Sequence, residues 1–259
     1  MIRLVALDMD GTLLNTNNEL PEDFFPWVKS HPMIRTVIAS GRQYQTLRDN
    51  MSEIKDELTI IAENGGFVYS GEELIYSDPM KMENLKKVLD WISRKMGLVP
   101  IVCARESAYI SSKVSADIAK EASIYFHELK VCDNLFEEAS KDIVVKIAVF
   151  VEGRKAEENM PYMEQLDDDL AVVLSGDRWI DVSNRTVNKG NAIKAIQEKY
   201  GISFEESMCF GDYLNDVSLI KSCKESYCMA NGHPALKELA KHITTSNDER
   251  GVMRVLETL

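Results

Sequence analysis

The chain has 259 residues, enough for one large α/β domain or two smaller ones with an ample core. Hydrophobic residues make up 45% and charged residues 28%, the balance of a soluble globular protein, and no apolar run is long enough to span a membrane. The formal net charge of −12 counts against nucleic acid as a partner, because that binding draws on Lys and Arg contacts to phosphate. Five cysteines (Cys103, Cys132, Cys209, Cys223, Cys228) without CxxC spacing argue against a disulfide framework and against a zinc site. The N-terminus lacks signal-peptide regions, so a cytoplasmic protein is expected.

In chain order, Leu4 to Leu7 reads as a strand buried on both faces, closed by Asp8-Met9-Asp10-Gly11-Thr12. Phe24 to Ser30 reads as a short helix, and Ile34 to Ala39 as a second strand ending in Ser40-Gly41-Arg42. Apolar residues recur at helical spacing from Gln43 to Glu57. A third strand, Thr59 to Ala62, ends in Glu63-Asn64-Gly65-Gly66, and a hairpin follows around Gly71-Glu72-Glu73. Met82 to Met96 reads as an amphipathic helix.

The middle third changes rhythm. Strands are expected at 99–103, 108–112, 143–151, 170–174 and 179–183, with helices at 115–125 and 155–166. Helix followed by two strands occurs at both ends of this region, the composition of a separate α+β layer. From Val187 the first rhythm returns, with a helix over Lys189 to Tyr200 and a buried strand over Ser207 to Phe210. Gly211-Asp212-Tyr213-Leu214-Asn215-Asp216 and further short strands and helices follow. The fold class this implies is α/β, a doubly wound parallel sheet interrupted by an inserted α+β domain. The boundaries fall at 1–79 with 186–259 for the core and 80–185 for the insertion.

Four turns stand out, although in isolation each has a commoner structural role: Asp8 and Asp10 as a solvated turn, Ser40 as a helix N-cap, Lys189 as a solvated first-turn side chain, and Asp212 and Asp216 as helix caps. Asp8 and Asp10 are two residues apart, so in extended backbone both aim the same way. Two carboxylates aimed at one spot repel unless a cation or a proton lies between them. Ser40-Gly41 before a helix is an arrangement that presents amides to an anion. Asn188-Lys189-Gly190 and Gly211 through Asp216 supply a lysine and further acids. Three of these turns follow predicted strands, which places them at one sheet edge.

The stretches DMDGTLL (8–14), IASGR (38–42), NKGNA (188–192) and GDYLND (211–216) resemble, in order, the four motifs of haloacid dehalogenase superfamily phosphatases. ENGG at 63–66 and NDERGV near the end match as well. An α+β insertion between the second and third motifs resembles the Cof-like hydrolases with a type IIB cap. The core implied is Rossmann-like. The resemblance makes Asp8 the nucleophile that forms an aspartyl-phosphate, with Mg²⁺ held by Asp8, the Asp10 carbonyl and Asp212. It makes Asp10 the acid and base, and Lys189 the group neutralising phosphoryl charge. Ser40, Gly41 and Asn215 become phosphate donors, and Asp216 a support to the metal or its neighbours. The expected substrate is a small phosphorylated metabolite, with sugar phosphates foremost.

Arg105, His127, Arg178 and Trp179 are candidates to face that substrate, although for each a solvated or core role is the commoner one. No obligate protein partner is evident. A phosphomutase would share these motifs, and a phosphate-sensing module would share the aspartyl chemistry without turnover.

Overall fold

The short apolar runs of the first and last thirds become neighbouring strands of one sheet. The computed structural model describes residues 1–153 and 156–259. They form two compact units, Met1–Ser77 with Asn188–Leu259, and Asp78–Val187.

In the first unit, β1 (Leu4–Asp8), β2 (Arg35–Ala39), β3 (Leu58–Ala62), β4 (Phe67–Ser70) and β5 (Glu73–Ser77) come before the insertion. After it come β12 (Ser207–Gly211), β13 (Glu225–Cys228) and β14 (His242–Ile243). The sheet order is β14-β13-β12-β1-β2-β3-β4-β5, parallel from β14 to β3 and antiparallel where β4 meets β3 and β5. The strand order reverses at β1, with β2 on one side and β12 on the other. Open α/β sheets hold their ligands outside the carboxyl ends of the strands at such a reversal.

Leu4 and Ala6 pack with Val37, Ala39, Ile193 and Ile196, and Val5 and Leu7 are equally buried on the opposite face. Two covered faces explain why β1 is a continuous apolar run. The helices of this unit are α1 (Phe24–Ser30), α2 (Tyr44–Asn50), α7 (Lys189–Tyr200), α8 (Val217–Ile220), α9 (Pro234–Leu239) and α10 (Gly251–Leu256).

The second unit holds a sheet of order β10-β11-β9-β6-β7-β8, antiparallel except where β7 meets β8. Its strands are β6 (Leu98–Ala104), β7 (Ala108–Ser111), β8 (Leu129–Cys132), β9 (Val144–Val151), β10 (Leu170–Gly176) and β11 (Trp179–Asn184). Leu85, Val88 and Ile92 of α3 (Met82–Ile92) pack on one face with Val102, Ile147 and Val182. Ile118 and Ala122 of α4 (Ala116–Tyr125) pack on the other with Ile101, Ala148 and Phe150. The remaining helices are α5 (Leu135–Ala139) and α6 (Met160–Met163).

Several elements differ from expectation. α2 stops at Asn50, and the chain continues in turns to Glu57. Met51 and Ile54 are still buried there, so helical spacing outlasts the helix. β8 and α5 were not expected, because only half-buried or exposed residues make up β8. The predicted helix at 155–166 begins at Lys155, outside the described residues. Its described part is a 3-10 turn followed by the single turn of α6.

Candidate active site

Asp8 is the last residue of β1, and Asp212 follows the last residue of β12. An ammonium lies between Asp8 and Asp216. The Lys189 Nζ donates to Asp8 Oδ1 at 2.5 Å and to Asp216 Oδ1 at 2.6 Å. Lys189 and Asp216 are fully buried, and Asp8 is 5% exposed. A cation in the first turn of a helix opposes the helix dipole, so Lys189 gains nothing from its helix. Its partners are the carboxylates, and they outweigh that cost.

The backbone places this lysine locally. Asn188 caps α7 by accepting from the Asn191 amide at 2.9 Å. Gly65, at φ +109°, lies against the Asn188 carbonyl, where a side chain would have no room. Gly65 therefore leaves room for the start of α7.

Asp216 is fully used. Its Oδ1 accepts from Lys189 and its Oδ2 from the Asp212 and Tyr213 amides at 3.0 and 3.3 Å. It shapes the turn and orients the lysine. Asp212 is half-buried and accepts from the Thr12 hydroxyl at 3.3 Å. Gly11, at φ +78°, lies directly against the Asp212 carboxylate. One carboxylate oxygen from each of Asp8, Asp212 and Asp216 lies within 4.8 Å of the other two.

Three carboxylates surround one ammonium, so negative charge is in surplus. Burial first, then the Asp216 charge, hold the Asp8 carboxyl well above its ordinary range, against the pull of Lys189. Burial, then Asp216, push Asp212 up to about 6. Burial alone would lower the Lys189 ammonium, but Asp216 and Asp8 together raise it above its usual value. The lysine stays charged. A hard divalent cation is what an oxygen-only cluster with excess negative charge suits.

Beside this cluster, Ser40 is buried at the end of β2, and its Oγ accepts from the Arg42 amide at 3.2 Å. The Asn64 amide donates to the Ser40 carbonyl at 2.9 Å, and the Asn64 side chain lies against Gly41. Asn215 donates to Asn64 Oδ1 at 3.4 Å, so Asn64 joins the Ser40-Gly41 turn to the Gly211–Asp216 turn. Asp10 departs from expectation. β1 ends at Asp8 and an irregular turn begins, so strand alternation does not reach Asp10. Its side chain is half exposed and is held by Arg42, whose Nε donates to Oδ2 at 3.1 Å while Nη2 grips Oδ1.

Residues 5–256 match the family described as haloacid dehalogenase-like hydrolases. The chain belongs to this family. A curated relative in Escherichia coli K12, 5-amino-6-(5-phospho-D-ribitylamino)uracil phosphatase YbjI, is 29% identical over 99% of this chain and 95% of its own. The solved structure of TM0651 from Thermotoga maritima has TM-score 0.88 at 27% identity, covering 100% of this chain and 98% of that one. The subclass IIB sugar phosphatase BT4131 shares the fold, with TM-score 0.82 at 23% identity over 99% and 98% of the two chains. With these relatives, this haloacid dehalogenase-like hydrolase is a phosphatase.

In this family member, Asp8, Lys189, Asp212 and Asp216 meet in one cluster, and Ser40, Gly41 and Asn215 form a second group around Asn64. Sequence reasoning did not single out Arg42, Asn64, Asn231 or Asn247. Asn231 Nδ2 donates to the Gly11 carbonyl at 2.7 Å, and Asn247 Nδ2 to the Leu14 carbonyl at 2.9 Å. The match of ENGG and NDERGV was the available signal for two of these.

In the inserted unit, Arg178 donates to the Val151 carbonyl at 3.2 Å and lies over the Phe150 ring. Trp179 packs against Phe126 and Phe150. Both serve the scaffold there. Arg105 and His127 are exposed. No helix among the described residues is long and apolar enough to cross a membrane.

Proposed function

We propose that this phosphatase is a Mg²⁺-dependent phosphomonoesterase that works through an aspartyl-phosphate on Asp8. The observation that supports it most is the buried Lys189 ammonium bound to both Asp8 and Asp216, with Asp212 in the same cluster. An aspartate needs no base to be a nucleophile once a cation restores its charge, and its obstacle is the anionic phosphate. Asp8, the Asp10 carbonyl and Asp212 would hold the metal, since both Asp216 oxygens are already occupied. Bound there, Mg²⁺ would offset charge and polarise the phosphoryl oxygens.

The chain's own groups then divide the work. An Asp8 carboxylate oxygen bonds to phosphorus as the ester P–O bond breaks. Asp10 gives its proton to the departing alkoxide and later takes one from the attacking water. Water then displaces Asp8, and inorganic phosphate leaves. Lys189 holds Asp8 in place and balances charge through both steps. The Ser40 hydroxyl, the Gly41 amide and the Asn215 amide donate to the phosphoryl oxygens.

The inserted unit is read as the part that selects the leaving group. Small phosphorylated metabolites are the substrate class, sugar phosphates foremost. The phosphorylated ribityl chain named for the Escherichia coli relative supports that class. Five free cysteines agree with a reducing, cytoplasmic setting.

Release of inorganic phosphate from 4-nitrophenyl phosphate, with and without chelator, tests the reading. Turnover abolished by chelation and restored by Mg²⁺ is expected. A phosphomutase would instead yield substrate isomers, and a sensor would keep its phosphoryl group.

A further inference from the structure

The Asp10–Arg42 pair joins two turns that the sequence leaves unconnected. We propose that Arg42 is a positioning residue for Asp10, its fork setting the carboxyl torsions from which Asp10 reaches the leaving-group oxygen. The inference rests on the reading of Asp10 as the acid of the phosphatase reaction.

Both ends of the bridge are anchored through the main chain. On the Asp10 side, Met9 is fully buried and the Gly11 carbonyl is held by Asn231 at 2.7 Å. On the Arg42 side, the amide donates to Ser40 Oγ at 3.2 Å and the carbonyl accepts from the Glu63 amide at 3.1 Å. With the backbones fixed, only side-chain torsions of Asp10 remain to be chosen. A planar fork touching both carboxylate oxygens restricts them in a way that a single-point ammonium cannot.

Stability does not explain the pair. Its side chains are 32% and 52% exposed, a setting where ion pairs add little. Arg42 also directly follows Ser40 and Gly41, so the turn proposed to grip phosphate is the turn that aims the acid. Substrate placement and acid placement are thereby mechanically linked. A carboxylate displaced by about an ångström can lose on the order of a hundredfold in rate.

The test measures first-turnover phenol release from phenyl phosphate and 4-nitrophenyl phosphate, in the full chain with Mg²⁺. The variants are Arg42→Gln, Arg42→Lys, Asp10→Asn and the double variant Arg42→Gln/Asp10→Asn. Phenoxide needs a proton more than 4-nitrophenoxide does. Arg42→Gln should therefore slow the phenyl ester at least about tenfold more than the nitrophenyl ester. Arg42→Lys, which keeps the charge and loses the fork, should lie between Arg42→Gln and wild type.

In the Asp10→Asn background, Arg42→Gln should have no further effect on phenyl phosphate, because the group it positions is gone. Equal slowing of both esters, or a full further loss in the Asp10→Asn background, overturns the proposal and makes Arg42 a phosphate-binding or structural group. An Asp10→Asn variant that releases phenol at the wild-type rate overturns the acid role itself, and the proposal falls with it. Unchanged rates in Arg42→Gln beside a slow Asp10→Asn overturn the positioning role alone.

Discussion

Lys189 and Asp216 form an ion pair 2.6 Å long with neither side chain exposed, and the same ammonium reaches Asp8 at 2.5 Å. Such a pair is costly to bury, and hydrophobic residues of similar volume often replace one without loss. Here it holds the proposed nucleophile at the carboxyl end of β1. Removing only the cation should be severe. Lys189→Met should cost about 3–5 kcal/mol in urea unfolding, because it strands buried carboxylates.

The sign of the pH effect in that variant follows from linkage. Without the ammonium, whose pull opposes the burial of Asp8, Asp8 keeps its proton in the folded chain at pH values where the unfolded chain has lost it. Stability should then rise as pH falls toward the ordinary carboxylate range and drop as pH rises. Urea midpoints across pH check this.

Asp212 gives a second pH dependence. Its carboxyl is raised to about 6, so between the ordinary Asp range and that value the metal-free fold holds a proton that the unfolded chain does not. The Asp212 contribution to metal-free stability should therefore fall as pH rises through this window and level off above it. Mg²⁺ competes with that proton, so its apparent affinity should weaken as pH drops below about 6. Melting temperature against pH, with and without Mg²⁺, should show opposite slopes in this window.

Gly65→Ala tests the placement of α7. The position has φ +109° and lies against the Asn188 carbonyl, so alanine adds strain and displaces the helix start. A stability loss of about 1–3 kcal/mol is expected. A fall in kcat beyond that of an equally destabilised core variant should accompany it, since Lys189 directly follows Asn188, which is both the cap and the glycine contact.

Asn247→Ala leaves the Leu14 carbonyl without its 2.9 Å donor. A loss of about 1–3 kcal/mol is expected from urea unfolding. Arg42→Gln should cost less than about 1 kcal/mol by the same measure, because its ion pair with Asp10 is partly exposed.

The core was legible where local chemistry and tertiary need agree. α7 spans Lys189–Tyr200 as read, because Asn188 caps one end and Gly201, in the left-handed region, ends the other. β1 was legible because both faces are buried and its run is wholly apolar. Legibility failed where burial and periodicity part company. The residues Met51 and Ile54 pack inward from turns, yet their spacing imitates a helix. β8 pairs at a sheet edge with Lys130 and Val131 exposed, so no alternation marks it.

Within the candidate site, the turns that hold Asp8, Asp212 and Lys189 were legible, since each sits at a strand end or helix start. Pairings across the chain stayed hidden. Nothing in 8–14 or 38–42 alone says that Arg42 takes hold of Asp10, or that Asp216 spends both oxygens on Lys189 and two amides.

The covalent role of Asp8 is most directly tested by acid-quenching the protein during steady turnover of 4-nitrophenyl phosphate with Mg²⁺ and measuring its intact mass. One added phosphoryl group, removed by hydroxylamine and absent from Asp8→Asn, is the expected result. Sustained turnover with no adduct at any quench time, together with near-normal turnover in Asp8→Asn, would contradict the account.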